Sequence, residues 1–152
     1  MAKASIAGLR MTTAVHGDET IQHVRRSRGA APSTEELKMG DVADVTDATW
    51  QLEVLEHDRP VLVDFWAPWC GPCRAVSRVL TDIAANRDDL RIVKLNVDDN
   101  AATASRYDVQ GLPVMILFRD GQDVMRIAGA KPKRWLETEL GAVLALPAPK
   151  NL

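Results

Sequence analysis

The spacing of apolar positions along this chain changes twice, and the changes divide it. Residues 1–32 hold Gly, Ala, Ser, Thr and the basic cluster Arg25–Arg26–Ser27–Arg28 with no sustained apolar period, so they are expected to be largely disordered. Ser33–Thr34–Glu35–Glu36–Leu37 has the spacing of a capping box and Gly40 is a stop signal. A helix over 33–39 is therefore predicted, too short to persist unless docked. From Val42 the pattern is regular. Thr46 or Asp47 is placed to cap a helix with Trp50, Val54 and Leu55 on one side. After Pro60, the run Val61–Leu62–Val63–Asp64–Phe65–Trp66 is apolar at all positions but one, which suits a strand buried on both faces.

Beyond it, Val76, Val79, Leu80 and Ile83 recur at helical spacing. Leu90 to Val97 reads as a second buried strand, and Asp98–Asp99–Asn100 as a turn and helix cap. A short helix over 101–108, ending at Gly111, leads to a third apolar strand, Val114–Phe118. Asp120–Gly121 is a hairpin signal with Asp123–Ala128 returning antiparallel. A last helix starts near Pro132, placed in its first turn, and carries Trp135, Leu136, Leu140, Val143 and Leu144 before Pro147 and Pro149 stop it. The order β-α-β-α-β-β-α, with a helix in front, predicts an α/β sandwich around a mixed sheet.

Composition adds exclusions. The 152 residues fit one domain with some left over, and 46% hydrophobic with 26% charged residues is ordinary for a globular chain. A net charge of −2 leaves no basic footprint for nucleic acid or an anionic membrane. No stretch approaches the roughly 20 apolar residues of a membrane span. Ile6–Ala7–Gly8–Leu9 is broken at once by Arg10, so no secretory signal is read. A cytoplasmic protein is expected, with an organelle as the alternative after removal of the Arg- and Ser-containing N-terminal stretch. Asp18 and Glu19 count against that alternative.

The two cysteines carry the chemistry. A bridge between Cys70 and Cys73 would close so short a loop that it is a poor structural staple. Cys-x-x-Cys between a strand and a helix is instead what redox exchange needs, because a helix N-terminus stabilises a thiolate. Cys70 is expected to be the more exposed, attacking thiol and Cys73 the resolving one. Gly71 would permit a tight turn, and Pro72 suits the first helical position, where a missing N–H does no harm. Zinc ligation and inert core cysteines are the other readings. A structural zinc site wants four ligands, but there is no second Cys-x-x-Cys, and His16, His23 and His57 are scattered. Asp64 stands out as an acid inside an apolar run, where burial would raise its pKa. Trp66 can be core. Lys94 in an alternating strand is by itself only a solvated lysine.

Residues 61–73, VLVDFWAPWCGPC, resemble the active-site segment of the thioredoxin family. KLNVDDN (94–100), GLPVMILFRDG (111–121) and AGAKPK (128–133) resemble its downstream blocks at matching separations. The resemblance implies the thioredoxin fold, a mixed central β-sheet flanked by helices in a three-layer α/β/α sandwich. Residues 42–146 would be that domain, 1–41 an N-terminal extension and 147–152 a short tail. It also implies a general protein-disulfide reductase with a redox-active Cys70–Cys73 disulfide, monomeric, with no bound cofactor or metal. Its electrons would come from NADPH through thioredoxin reductase and pass to disulfide-forming enzymes such as reductases and peroxidases. In the same way Asp64 becomes the general acid or base for Cys73, through water, with Lys94 tuning it. Trp69, Gly71, Pro72, Leu112, Pro113 as a cis-proline, and Gly129 become the substrate surface. Gly-Pro between the cysteines goes with reductants, whereas His there would suggest an oxidant or isomerase. A binding or chaperone module without electron transfer is the competing reading, and it has no need of two thiols. Two features depart from the family. Arg78 stands where many members have a kinking proline, and the N-terminal extension is long but holds no cysteine.

Overall fold

Val61–Trp66, the apolar run that holds Asp64, forms the central strand of a five-stranded sheet, and five of its six residues are at 0% exposure. The structure is a computed structural model that describes residues 41–150. The expectations for residues 1–32 and for a helix over 33–39 lie outside the described residues. In chain order the elements are β1 (Ala43–Asp44), a single π-helical turn (Gln51–Leu55), β2 (Val61–Trp66), α1 (Gly71–Ala84), β3 (Arg91–Asn96), α2 (Ala101–Arg106), β4 (Val114–Arg119), β5 (Gln122–Ala128) and α3 (Lys133–Ala145). The sheet order is β1-β3-β2-β4-β5. The first three strands are mutually parallel, β4 runs antiparallel to β2, and β5 runs antiparallel to β4.

Strand alternation sends side chains to two core layers. Val61, Val63 and Phe65 of β2 join Val93, Leu95, Ile116, Phe118 and the Trp50 and Val54 side chains on one face. Tyr107 and Val109, just past α2, close that layer. An edge-on aromatic cluster stiffens it: Phe118 meets Trp50 at 5.3 Å and Tyr107 at 5.1 Å, and the Trp50 indole donates to the Tyr107 hydroxyl at 3.3 Å. On the other face Leu62, Ile92, Met115 and Leu117 pack against Val76, Leu80 and Ile83 of α1 and Leu136 and Leu140 of α3. The result is the three-layer α/β/α sandwich with a mixed sheet, and the even-numbered positions of β2, Asp64 included, face α1 and α3.

Several local expectations change. Strand β1 was not anticipated, because two paired residues leave no readable period. The helix expected over Trp50–Leu55 is instead a Thr46–Thr49 turn followed by one π-helical turn. Thr46 and Thr49 satisfy each other there, Thr46 N–H donating to Thr49 Oγ1 at 2.9 Å. Asp47 caps a different element: its carboxylate accepts the Thr103 N–H of α2 at 2.9 Å. Asn100, the expected cap of α2, sits at the N-cap position without capping. Its side chain accepts the Asp47 N–H at 2.9 Å instead. Helix α2 ends at Arg106, and Asp108 takes the left-handed turn (φ 50°) before Gly111 is reached. Asp120 (φ 52°) and Gly121 (φ 76°) make the expected tight hairpin. Gly121 is required twice over there, since a Cβ would lie 3.2 Å from the Leu55 carbonyl oxygen. Pro132 precedes α3 as its N-cap rather than lying in its first turn.

Candidate active site

Only Ala67–Cys70 separates the end of β2 from the start of α1, so the dithiol sits where the central strand meets a helix N-terminus. Cys70 is the N-cap residue, with extended backbone (φ −86°, ψ 104°), and its Sγ accepts the Cys73 N–H at 3.3 Å. The sulfur thus takes the place of a capping oxygen, and a thiolate there would gain the same N–H and the helix dipole. Cys70 and Cys73 are joined as a disulfide, with Cα atoms 5.4 Å apart. Cys70 is 5% exposed and Cys73 1%, the expected order but a small difference. Pro72 is the second helical residue, not the first. Its missing N–H still belongs to the four that no helical carbonyl reaches. Gly71 is not needed for a tight turn: an added Cβ would meet nothing within 4 Å, and its φ lies outside the left-handed region. Without a side chain it leaves the surface next to Cys70 uncovered. Arg78 is exposed on α1, which runs unbroken through that position.

Asp64 lies within β2, the strand that leads to the dithiol. It is fully buried, and neither carboxylate oxygen has a hydrogen-bond partner. Burial pushes its pKa up to about 7, and the Lys94 charge opposes that rise only in part. Asp64 precedes by two residues Trp66, which packs against the cluster of Ala67, Cys70 and Cys73. Lys94 is its register neighbour on β3. The ammonium, however, lies 3.6 Å from the Asp44 carboxylate and 5.5 Å from the Trp66 ring centroid. Trp66, Cys73 and Lys94 line one pocket together with Arg74, Ser77 and Arg78.

The loop from α2 to β4 supplies the facing wall. Leu112 packs against the cysteine cluster, and the Leu112–Pro113 peptide bond is cis, as the resemblance implied. Gly129 donates its N–H to the Pro113 carbonyl at 2.8 Å, and its φ of 78° favours glycine. Leu112, Pro113 and Gly129 line a single cleft with Gln110 and Arg126. Arg126 fixes the outer side of that cleft by donating to the Tyr107 and Asp108 carbonyls. Trp69 is 69% exposed, and its indole N–H donates to the Asp98 carboxylate at 3.1 Å. The ring is thereby held as open apolar surface beside the cysteines.

The geometry brings together Cys70, Cys73, Trp66 and Leu112, with Asp64 buried two residues before Trp66 on the same strand, while Lys94 lines the Cys73 pocket with its charge directed to Asp44. Sequence reasoning missed Asp44 and Asp98. Asp98 reads as a turn residue, and nothing local tells which indole it holds. Asp44 is visible only through strand register. Among the described residues no group of three or more His, Cys, Asp or Glu could hold a metal ion, and no helix is long and apolar enough to cross a membrane.

The thioredoxin family model matches residues 41–142. The chain is 50% identical over 103 residues to thioredoxin 1 of Synechococcus elongatus, covering 67% of this chain and 96% of that protein. It is 52% identical over 101 residues to the thioredoxin of Mycobacterium tuberculosis, covering 66% and 87%. A third relative is a bifunctional thioredoxin reductase/thioredoxin of Mycobacterium leprae, 46% identical over 112 residues that make up 73% of this chain and 24% of that protein. A sulfur-capped helix carrying a Cys-Gly-Pro-Cys disulfide, set at the end of the central strand of this sheet, agrees with those matches: the chain belongs to the thioredoxin family and is a dithiol–disulfide oxidoreductase that reduces disulfides through Cys70 and Cys73.

Proposed function

We propose that Cys70 attacks, that Cys73 resolves with Asp64 as its base, and that thioredoxin reductase returns the electrons from NADPH. In the reduced protein the Cys70 thiolate attacks one sulfur of a substrate disulfide. The substrate S–S bond breaks, its departing thiolate takes a proton, and a mixed disulfide to Cys70 remains. The Cys73 thiol then gives its proton to the Asp64 carboxylate, through water, and attacks Cys70 Sγ. The second substrate sulfur leaves as a thiolate and takes a proton, so two electrons have passed to the substrate and Cys70–Cys73 is left as the oxidised disulfide.

The observation that carries the assignment of roles is the Cys73 N–H bond to Cys70 Sγ at the start of α1. It favours negative charge on Cys70 over Cys73. Asp64 suits the second step because a carboxyl pushed up to about 7 can accept and return a proton near neutral pH. The reductase partner draws support from the Mycobacterium leprae relative, whose name joins thioredoxin reductase and thioredoxin in one chain. The substrates are disulfides formed in the turnover of other enzymes, such as reductases and peroxidases. Trp69, Gly71, Pro72, Leu112, Pro113 and Gly129 form the surface that receives them. The protein works as a monomer in the cytoplasm, where glutathione and related systems keep thiols reduced.

The test is insulin reduction coupled to a thioredoxin reductase and NADPH. The wild type should consume NADPH in proportion to insulin disulfides, Cys70→Ser should be inactive, and Cys73→Ser should accumulate a stable mixed disulfide on Cys70. Insulin reduction retained by Cys70→Ser would overturn the assignment.

A further inference from the structure

We propose that Asp44 is a positioning residue: its carboxylate holds the Lys94 ammonium on the β1 side of the sheet and so keeps it from pairing with Asp64. The inference deepens the reading of Asp64 as base for Cys73 and rests on it. Asp44, Lys94 and Asp64 form one in-register row across three strands, Asp44 opposite Lys94 on β1–β3 and Lys94 opposite Asp64 on β3–β2. Neighbouring strands lie about 5 Å apart, so a lysine in the middle of such a row can reach the carboxylate on either side. It reaches Asp44, with Nζ 3.6 Å from Oδ2, and lies over the Trp66 ring. Both Asp64 oxygens stay without a hydrogen-bond partner.

The choice has a physical cause. The Asp44 side chain is 66% exposed and that of Lys94 31%, so their pair forms with little loss of hydration. Moving the ammonium onto Asp64 would strip it of water next to a fully buried carboxyl. The functional consequence follows from what a direct pair would do. An ammonium bonded to the Asp64 carboxylate would hold it ionised and make it a poor acceptor for the Cys73 proton. With Lys94 held aside, burial dominates and the group stays poised near neutrality.

Other groups around Asp64 do not compete for this role. From α1, Cys73, Arg74 and Arg78 line the pocket shared with Lys94. Strand β4 sets the uncharged Met115 beside Asp64, and α3 brings Leu136 and Leu140 to the layer.

The experiment uses the full chain as wild type, Asp44→Asn, Asp44→Glu, Lys94→Met and the Asp44→Asn/Lys94→Met double variant. Carbon NMR follows the Asp64 carboxyl through pH in the oxidised protein, where neither cysteine titrates. Stopped-flow measurement of mixed-disulfide release against pH follows the chemistry. Asp44→Asn should lower the Asp64 midpoint by about half a pH unit or more, as a unit charge moved a few ångströms closer would. Asp44→Glu should restore it, and in the Lys94→Met background Asp44→Asn should have no effect. The pH profile of release should move with the midpoint. A midpoint unmoved by Asp44→Asn, or moved equally with and without Lys94, overturns the proposal. A midpoint that moves while the release profile does not supports the hold of Asp44 on Lys94 and overturns the base reading of Asp64.

Discussion

A carboxylate with both oxygens buried and unpartnered is expensive to ionise, because the charge loses its hydration and gains no hydrogen bond in return. Asp64 is in that position, with its carboxyl pushed up to about 7 against 3.8 in the unfolded chain. Between those two values the native state holds a proton that the unfolded state has lost, so stability falls as pH rises from about 4 to about 7 and is level on either side. Asp64→Asn removes the titration. It should leave stability near pH 4 little changed and raise it at pH 8 by on the order of 2–4 kcal/mol. Urea unfolding of both proteins at the two pH values measures the difference, and curves that stay parallel would show that Asp64 is hydrated. The same variant should release mixed disulfides more slowly while the first attack by Cys70 stays fast. Asp64 was legible in the sequence because an acid in an apolar run contradicts its surroundings. Asp44 was not, because its relation to Lys94 exists only once three strands are in register.

At the scale of elements, strong periodicity was readable and the caps were not. The strands Val61–Trp66 and Val114–Arg119 and the helix Gly71–Ala84 lie where their apolar patterns put them, since each is a long run with one dominant period. Short elements depend on partners far along the chain. Helix α2 has six residues and takes its cap from Asp47, whose carboxylate accepts the Thr103 N–H and whose own N–H is held by Asn100. No local signal distinguishes that from Asp47 capping the helix it precedes. The hydrogen bond to Thr103 holds the Asp47 carboxyl below the ordinary range. The stability it lends is therefore present at neutral pH and lost as pH falls below about 3.8. Asp47→Ala should lower the melting temperature at pH 7 and raise amide hydrogen exchange at Thr103 and Ala104. The two proteins should converge in acid. A variant that melts like wild type at pH 7 would mean the cap is replaced by water.

Across the described residues two surfaces meet at one end of the central strands: the sulfur-capped start of α1 and the Leu112–Pro113 loop bonded to Gly129. On the proposed reading, a small disulfide needs only the sulfur of Cys70, whereas a protein disulfide would also lay its chain across these two surfaces. Trp69 is the largest exposed apolar group there, at 69% exposure, with its indole tethered to Asp98. Rigid, half-tethered tryptophans carry much of the energy in protein contacts because they offer area at low entropic cost. Trp69→Ala should therefore raise KM for insulin about tenfold, equivalent to one strong contact. Reduction of a small aromatic disulfide should change far less, and the melting temperature should hold because the ring adds little to the core. The ratio of the two kcat/KM values is the quantity to measure, since it cancels any effect on the chemistry of Cys70. Equal losses on both substrates would place Trp69 in the chemistry of the cysteine rather than in recognition, and the substrate surface would then begin at the Leu112–Pro113 cleft.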